Sequence, residues 1–387
     1  TEQVVCTGNE ALAYGILAAG VRYGAAYPIT PWSDIMELLR RELPKYNGIF
    51  VQAEDEIAAV SIAIGASWGG RCAVTGSSGP GIALKSEAIG WAVMAEIPLL
   101  VIDVQRGGPS TGMPTNVEQS DLNIACFGGH GDSPRVVIAP SSVEDCFYTA
   151  IEAVNIARKY STPVIILTDQ AIATRIEAFS MPNLKEVCQD ISPDLSPRDD
   201  HKPYDLSSAD GITQHVAPGT FIKSGKYPVV TGLEHNEMGH PSGSPKMHTD
   251  MTAKRRSKLQ ALGRELPKPE VFGPEEGNVL MVGWGSTQGS LREATERARK
   301  TGDSISSLTI RHINPLPEGL EDIFSGFNHV FVVENNDENL YGYGQLCALL
   351  RARYCDKKIQ GINKADALTW RVKDVLDRVK SKLEENK

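Results

Sequence analysis

The chain has 387 residues, 41% of them hydrophobic and 22% charged, with a formal net charge of −9. That size and composition fit two globular domains with a large buried core, and the acidic balance argues against nucleic acid or an anionic membrane surface as a partner. No apolar run approaches the ~18 residues needed to cross a bilayer, and TEQVVCTGNEALAYG has neither the basic start nor the apolar stretch of a secretory leader, so a cytoplasmic location is expected.

Residues 1–176 alternate short apolar runs with helix-length segments. Strands are predicted at AAYPIT (25–30), IFVQAE (49–54), RCAVTGS (71–77), PLLVIDVQ (98–105), RVVIAP (135–140) and TPVIILTD (162–169). These runs are continuous rather than alternating, as in strands buried on both faces. Between them, Ser33–Leu43 reads as a helix with Ser33 as its N-cap, and Ser142–Tyr160 as one capped by Ser142. Strand and helix in alternation predict an α/β fold with a doubly wound parallel sheet.

The stretch 177–275 is rich in Pro, Gly, Asp and His, and its one regular pattern is the basic helix candidate MTAKRRSKLQAL. An insert this long is expected to cover a site or contact a neighbour. From 276 to 387 the α/β rhythm returns in a smaller domain. Strands are predicted at NVLMVGWG, SISSLTIRHI and HVFVVEN, and helices at GSLREATERARK, Leu340–Tyr354 and the charged C-terminal segment.

In open parallel sheets, ligands bind beyond the carboxyl ends of the strands, so the informative positions follow each strand. In Tyr27-Pro28-Ile29-Thr30-Pro31 the two prolines stiffen the turn that carries the Thr30 hydroxyl; a plain strand-to-helix turn accounts for the same residues. Glu54, Asp55 and Glu56 precede a helix of small residues, where they complement the helix dipole or offer a carboxylate to a flat ligand. The turn TGSSGPG, with Ser77, Ser78 and Gly79, presents backbone N–H groups suited to an anion or a polar edge. Arg106, in QRGGPSTGMPT after what reads as an apolar strand, suits bidentate capture of a carboxylate, with Ser110 and Thr111 as neutral donors. His130, between glycines in GGHGDSPR, reads as a surface residue or a ligand contact.

The seven cysteines are odd in number and lack C-x-x-C spacing. They read as small buried residues of a reducing compartment, with no metal site or cluster expected in this chain. His215, His235, His240 and His248 lack metal-ligand spacing as well. A reaction that needs a redox metal would draw it from another chain.

In that order, YPITP, AEDEIAA, TGSSGPG, QRGGPSTGMPT and GHGDSPR closely resemble the α subunit of the 2-oxoacid:ferredoxin oxidoreductases, most of all the 2-oxoglutarate type. The likeness continues through TGLEHNEMGHPS, MTAKRRSKL, VGWGST and VVEN…YGYGQL. It implies a pyrimidine-type domain for thiamine diphosphate over 1–176, an insert over 177–275 and a transketolase-C-like domain over 276–387. It further implies a β subunit supplying the diphosphate- and Mg2+-binding half and a [4Fe-4S] cluster, an (αβ)2 assembly, ferredoxin as electron acceptor and coenzyme A as co-substrate.

Carried onto this sequence, the resemblance gives Thr30 and Arg106, with Ile29, Ser110 and Thr111 beside them, to the 2-oxoacid. Tyr27, Pro28, Pro31, Ser77, Ser78, Gly79 and His130 would face the cofactor. A glutamate would bond N1′ of the aminopyrimidine. Thiamine-dependent domains commonly carry a glycine nine residues after that acid; Glu56 has Gly65 there and Glu54 has Ala63, so Glu56 is chosen and Glu54 kept second. Many relatives begin with a further γ domain, expected here as a separate chain or a preceding segment. A non-oxidative thiamine enzyme and a non-catalytic scaffold subunit remain as rivals.

Overall fold

The continuous apolar runs become strands buried on both faces: every residue of Leu99–Gln105 and of Pro163–Asp169 is buried. Each large aliphatic side chain so enclosed contributes about 1.5–3 kcal/mol relative to exposure. The computed structural model describes residues 2–386. Its strands are β1 (Gln3–Thr7), β2 (Tyr23–Ala26), β3 (Ile49–Gln52), β4 (Ala73–Ser77), β5 (Leu99–Gln105), β6 (Val136–Ile138), β7 (Pro163–Asp169) and β8 (Ile176–Ser180). The second half adds β9 (Val271–Phe272), β10 (Gly277–Gly283), β11 (Ile305–Thr309), β12 (His312–Asn314), β13 (Phe327–Glu334) and β14 (Ile359–Asn363).

The larger sheet has the order β12-β6-β7-β5-β4-β2-β3 and is parallel except for β12, which runs antiparallel to β6. The smaller has the order β14-β13-β10-β11-β9, parallel except for β9. A separate antiparallel pair, β1 with β8, ties the chain's start to the end of the first sheet's last crossover. The expected α/β architecture of two parallel sheets is thus present.

Local signals account for much of this. Thr7 and Glu10 form a reciprocal capping box at the start of the helix Gly8–Ala18, and Ser142 caps Val143–Tyr160 by accepting from Asp145 N–H. Ser33 does not act as a cap. It is the first residue of the helix Ser33–Glu42, and the cap position falls on Trp32, which is already in the right-handed helical region and makes no side-chain cap bond.

The stretch SISSLTIRHI is two strands rather than one. β11 stays in the smaller sheet, whereas β12 crosses to the edge of the larger one. There Arg311 reaches Asp145 (2.9 Å) and Glu152 (3.1 Å), and His312 contacts Glu152 at 2.6 Å. One apolar core joins the two sheets: Val101 and Leu167 of the larger pack in the same cluster as Leu280, Val282, Trp284 and Val330 of the smaller.

The insert is held by polar contacts that its composition does not announce. His215 Nε2 lies 2.9 Å from Trp68 O and His235 Nε2 lies 3.1 Å from Met94 O. Each meets a carbonyl at the C-terminal end of a helix, where such oxygens lack helical partners. The helix Pro245–Glu265 contains the basic segment, but Lys254, Arg255 and Lys258 are buried. Lys254 and Lys258 converge on buried Glu96 (2.7 and 2.9 Å), and Arg255 pairs with Glu234. The helix expected from Leu340 begins at Gln345; Leu340–Gly344 is a loop with Leu340 and Tyr341 almost fully exposed. No helix of the described residues is long and apolar enough to cross a membrane.

Candidate active site

Because β5, β4, β2 and β3 are consecutive and parallel in the sheet, the loops after them share one edge. The sequence spreads these loops from Tyr27 to Thr115; the sheet brings them together around the end of β4. The exception is the loop of His130. A Cβ built on Gly129 would stand 3.5 Å from Ser86 O, and one on Gly90 would stand 3.8 Å from Ser133 Oγ. The loop therefore packs two to three turns along the helix Gly79–Met94, roughly 10–16 Å from its N-terminus at 1.5 Å per residue. His130 is exposed and is not brought to the other candidates.

The acidic cluster separates by position. Asp55 is the N-cap of the helix Glu56–Trp68 and accepts from Ala58 N–H at 2.7 Å. The dipole-complement role thus belongs to Asp55. Glu54 is exposed, whereas Glu56 is only 8% exposed and its carboxylate makes no hydrogen bond with another described residue. Gly81 makes room for it: a Cβ there would lie 1.9 Å from Ser77 Oγ and 2.9 Å from Glu56 Cγ. Lys85, fully buried, donates to the main-chain oxygen of Glu56 at 3.0 Å. Burial pushes the Lys85 ammonium down to about 8, against the opposing pull of Glu56 and Asp55.

Arg106 is buried and links two loops. Its Nη1 donates to Thr30 O at 2.7 Å and its Nη2 to Thr111 O at 2.8 Å, while Nε has no partner. Thr30, Ser110 and Thr111 are exposed at the open side; Tyr27 and Pro28 are exposed and Ile29 half-buried beside them. Pro31 instead is buried, and its carbonyl accepts from Asn9 at 2.9 Å, so it shapes the turn from beneath and does not face outward. The Thr30–Pro31 and Gly108–Pro109 peptide bonds are cis. The arginine loop closes on itself through Met113 N–H to Gly107 O at 2.8 Å. Gly112 makes this possible: its φ is +49°, and a Cβ there would fall 1.8 Å from Gly107 O.

The strand before Arg106 is not purely apolar. Asp103 is fully buried with both carboxylate oxygens unpartnered, beside Ser77 in the β4–β5 register. Burial, and then the neighbouring Asp121, raise the Asp103 carboxyl well above the usual range. Asp121 is pushed up to about 7 by burial and then by Glu118, opposed by the Gly79 N–H and the Arg106 charge. At the Gly79 turn, expected to take an anion or a polar edge, Asp121 places an oxygen 2.6 Å from where a Gly79 Cβ would be. Sequence reading missed Asp103 and Asp121; a lone acid inside LLVIDVQ was the available signal.

Thr75 Oγ1, Ser77 Oγ, Ser78 Oγ, both Asp103 oxygens and Arg106 Nε form a patch of buried polar atoms without partners around the ends of β4 and β5. Each such group costs about 1–3 kcal/mol if left unmatched, so their concentration between Glu56 and Arg106 fits a polar ligand. Beside them a cavity of about 420 Å³ opens between the Arg106 loop, the Gly79 turn and Asn336, Asn339 and Gln345 of the second half. A buried carboxylate beside orphaned hydroxyls suits a protonatable heterocycle; a buried arginine with a free Nε suits a carboxylate.

The model of the family described as pyruvate flavodoxin/ferredoxin oxidoreductase, thiamine diphosphate-binding, matches residues 14–254. The 2-oxoglutarate oxidoreductase subunit KorA of Mycobacterium tuberculosis is 41% identical over 371 residues, which is 94% of this chain and 55% of the relative. The 2-oxoglutarate synthase subunit KorA of Methanocaldococcus jannaschii is 36% identical over 81% of this chain and 83% of its own length. A solved structure, the 2-oxoglutarate:ferredoxin oxidoreductase from Magnetococcus marinus with 2-oxoglutarate, coenzyme A and succinyl-CoA bound, superposes with a TM-score of 0.91 at 36% identity, covering 98% of this chain and 65% of that one. The chain thus spans about half the length of the mycobacterial relative and under two thirds of the Magnetococcus chain. A split-gene transketolase at 10% identity and a TM-score of 0.53 shares the fold. The family match covers well over half of the sequence and includes the loops that carry Thr30, Glu56 and Arg106; the chain belongs to the pyruvate flavodoxin/ferredoxin oxidoreductase family of thiamine-diphosphate-binding proteins.

Proposed function

We propose that this chain is the α-type subunit of a cytoplasmic 2-oxoacid:ferredoxin oxidoreductase whose substrate is 2-oxoglutarate. In the overall reaction the bond between C1 and C2 breaks, CO2 leaves, the acyl carbon joins the sulfur of coenzyme A, and two electrons pass to ferredoxin. A β subunit would bring the diphosphate- and Mg2+-binding half and a [4Fe-4S] cluster, with a γ domain or subunit as a further component. The reading divides the chain into a pyrimidine-binding domain (1–176), an insert (177–275) and a transketolase-C-like domain (276–387). Its support in substrate choice is that the Mycobacterium, Methanocaldococcus and Magnetococcus relatives are 2-oxoglutarate enzymes by name.

One observation carries the reading: Glu56 and Arg106 are buried near opposite ends of a single patch of unpartnered polar atoms in a thiamine-diphosphate-binding family domain. Thiamine diphosphate, when bound, supplies the carbon nucleophile and the electron sink for decarboxylation. Glu56, with Glu54 as the exposed alternative, holds and exchanges a proton at the pyrimidine ring nitrogen. Its burial keeps that exchange away from water. Ser77 and Ser78 offer hydroxyls to the ring's polar edge, and Tyr27 and Pro28 border the opening. Arg106 keeps Nε and its remaining Nη protons for the substrate carboxylate while its two backbone bonds hold Thr30 and Thr111 alongside.

The test is turnover by the purified complex with 2-oxoglutarate, coenzyme A and ferredoxin or a viologen. Acceptor reduction that requires both the 2-oxoacid and coenzyme A is expected. Decarboxylation without an electron acceptor would favour the non-oxidative rival, and no turnover with any 2-oxoacid would favour a scaffold.

A further inference from the structure

A second and larger cavity, of about 1190 Å³, lies away from the Arg106 loop. Its walls are the loop Gly131–Arg135, one face of the helix Pro245–Glu265, residues 313–318 and the end of the helix Gln345–Tyr354. The helices Leu122–Phe127 and Gln345–Tyr354 run between the two cavities. Asp121 and Gln345 at their N-terminal ends border the first, and Phe127 and Arg353 at their C-terminal ends border the second. Along these helices the nearest lining residues of the two are four apart (Gln345 and Leu349) and five apart (Asp121 and Cys126), a rise of roughly 6–8 Å. This second groove absorbs both the GHGDSPR motif and the basic helix, which the chemistry at Glu56 and Arg106 leaves unused.

Its charge runs against that of the chain. Four arginines line it (135, 256, 264 and 353) against two carboxylates, Asp132 and Glu318, in a protein of net charge −9. Two of the four are engaged: Arg264 pairs with Asp210 at 2.6 Å, and Arg135 is buried and bonded to Gly128 O and Ser133. Arg256 and Arg353 are exposed and form no ion pair or hydrogen bond with any described residue. On the helix Pro245–Glu265 that is exceptional. Lys246, His248, Lys254, Arg255, Lys258 and Arg264 each face a carboxylate; Arg256 alone does not. Beside these cations the groove presents apolar surface from Phe127, which is 63% exposed, with Leu316 and Leu349.

Unmatched guanidinium groups next to an exposed aromatic ring match the two halves of a nucleotide. Arginine takes phosphate oxygens in forked geometry, and an aromatic ring stacks on a base. We propose that this groove binds a nucleoside diphosphate, with phosphates on Arg256 and Arg353 and the base against Phe127. Free ADP and the nucleotide end of coenzyme A share that chemistry. The site uses neither Glu56 nor Arg106; only its coenzyme A arm rests on the reaction proposed above, and its test reads binding rather than turnover.

The experiment is titration calorimetry on the assembled complex with ADP, inorganic pyrophosphate and coenzyme A as probes. ADP is expected to bind saturably, and the Arg256→Ala/Arg353→Ala double variant to bind it at least about tenfold more weakly. Phe127→Ala should weaken ADP but leave pyrophosphate unchanged. Arg297→Ala, on an exposed helix where Arg297 pairs with Glu293, should change nothing. Coenzyme A competing with ADP, and showing the same arginine dependence, would identify the cofactor's nucleotide as a source; its failure to compete would leave free nucleotide. Absence of saturable ADP binding to the wild-type complex overturns the proposal. So does unchanged ADP affinity in the double variant, or loss of assembly in that variant, which would make the groove a subunit interface.

Discussion

The guanidinium of Arg106 donates to the main-chain oxygen of Thr30 at 2.7 Å, joining two loops that lie 76 residues apart in the chain. A second bond to Thr111 O makes this one side chain the common anchor of every residue proposed to meet the substrate carboxylate. Lysine has one ammonium where arginine has a planar fork, so it cannot hold both carbonyls and a carboxylate. Arg106→Lys should raise KM for the 2-oxoacid and lower kcat/KM by roughly ten- to a hundredfold, the worth of one or two charge-assisted hydrogen bonds. Steady-state kinetics check this; unchanged KM with assembly intact would remove Arg106 from the substrate site.

Glu54 and Glu56 flank the cap residue Asp55, and that one-residue geometry sends them to opposite environments. Glu56→Gln keeps the shape of the side chain and removes its proton exchange, so kcat should fall by about 10²–10⁴-fold with the fold and assembly unaltered. Glu54→Gln, at an exposed position, should retain nearly full kcat. The reverse pattern would transfer the role to Glu54.

These loops are legible in the sequence because parallel strands all present their carboxyl ends on one edge, so the residues after each apolar run are candidates wherever the strands fall in the sheet. The Glu56–Gly65 spacing is likewise local to one helix. Asp103 is harder to read: its burial depends on β4 and β7 closing on either side of it, and six neighbours in LLVIDVQ speak only for a strand. The basic run MTAKRRSKL looks like a solvated helix because the partner of Lys254, Glu96, lies 158 residues away. The edge strand β12 hides within a longer apolar stretch, since the change of sheet between Thr309 and His312 leaves no compositional mark.

Glu96 is the single carboxylate between two buried lysines, and its pairing should dominate how the insert helix is held. Burial works against its charge, but Lys258 and Lys254 outweigh that and hold the carboxyl below its ordinary value. Its contribution is therefore present above the usual carboxylate range and lost as acid titrates it. Burial pushes Lys258 down to about 8, so between pH 8 and its ordinary value near 10.5 the unfolded chain holds a proton that the folded protein has released. In that window this lysine's contribution to stability rises with pH. Glu96→Gln should destabilise the protein by about 3–5 kcal/mol near neutral pH, the usual cost of leaving buried charges unpaired. The deficit should narrow toward pH 10 as Lys258 sheds its proton. Urea unfolding of both forms across pH 7–10 measures it; a deficit independent of pH would mean that Glu96 acts by packing rather than charge.

Asp121 sets a different pH dependence, at the substrate end of the site. Burial and the Glu118 charge raise its carboxyl to about 7, while the Gly79 N–H and Arg106 oppose that rise; burial, and then Asp121 itself, raise the carboxyl of Asp103, the other acid beside it, well above the usual range. Below pH 7 Asp121 is protonated and leaves the Arg106 charge uncompensated for an incoming carboxylate. Above pH 7 it ionises next to the guanidinium and competes for it. The 2-oxoacid is fully ionised throughout, so KM should rise as pH passes from 6 to 8 in the wild-type complex. Asp121→Asn keeps the contact with the Gly79 turn but cannot ionise, and should hold KM near its low-pH value across the same range. The readout is the pH profile of KM set beside that of kcat: an inflection near 7 that survives in Asp121→Asn would place the titrating group elsewhere, and a flat wild-type profile would mean that the ionised Asp121 does not reach Arg106.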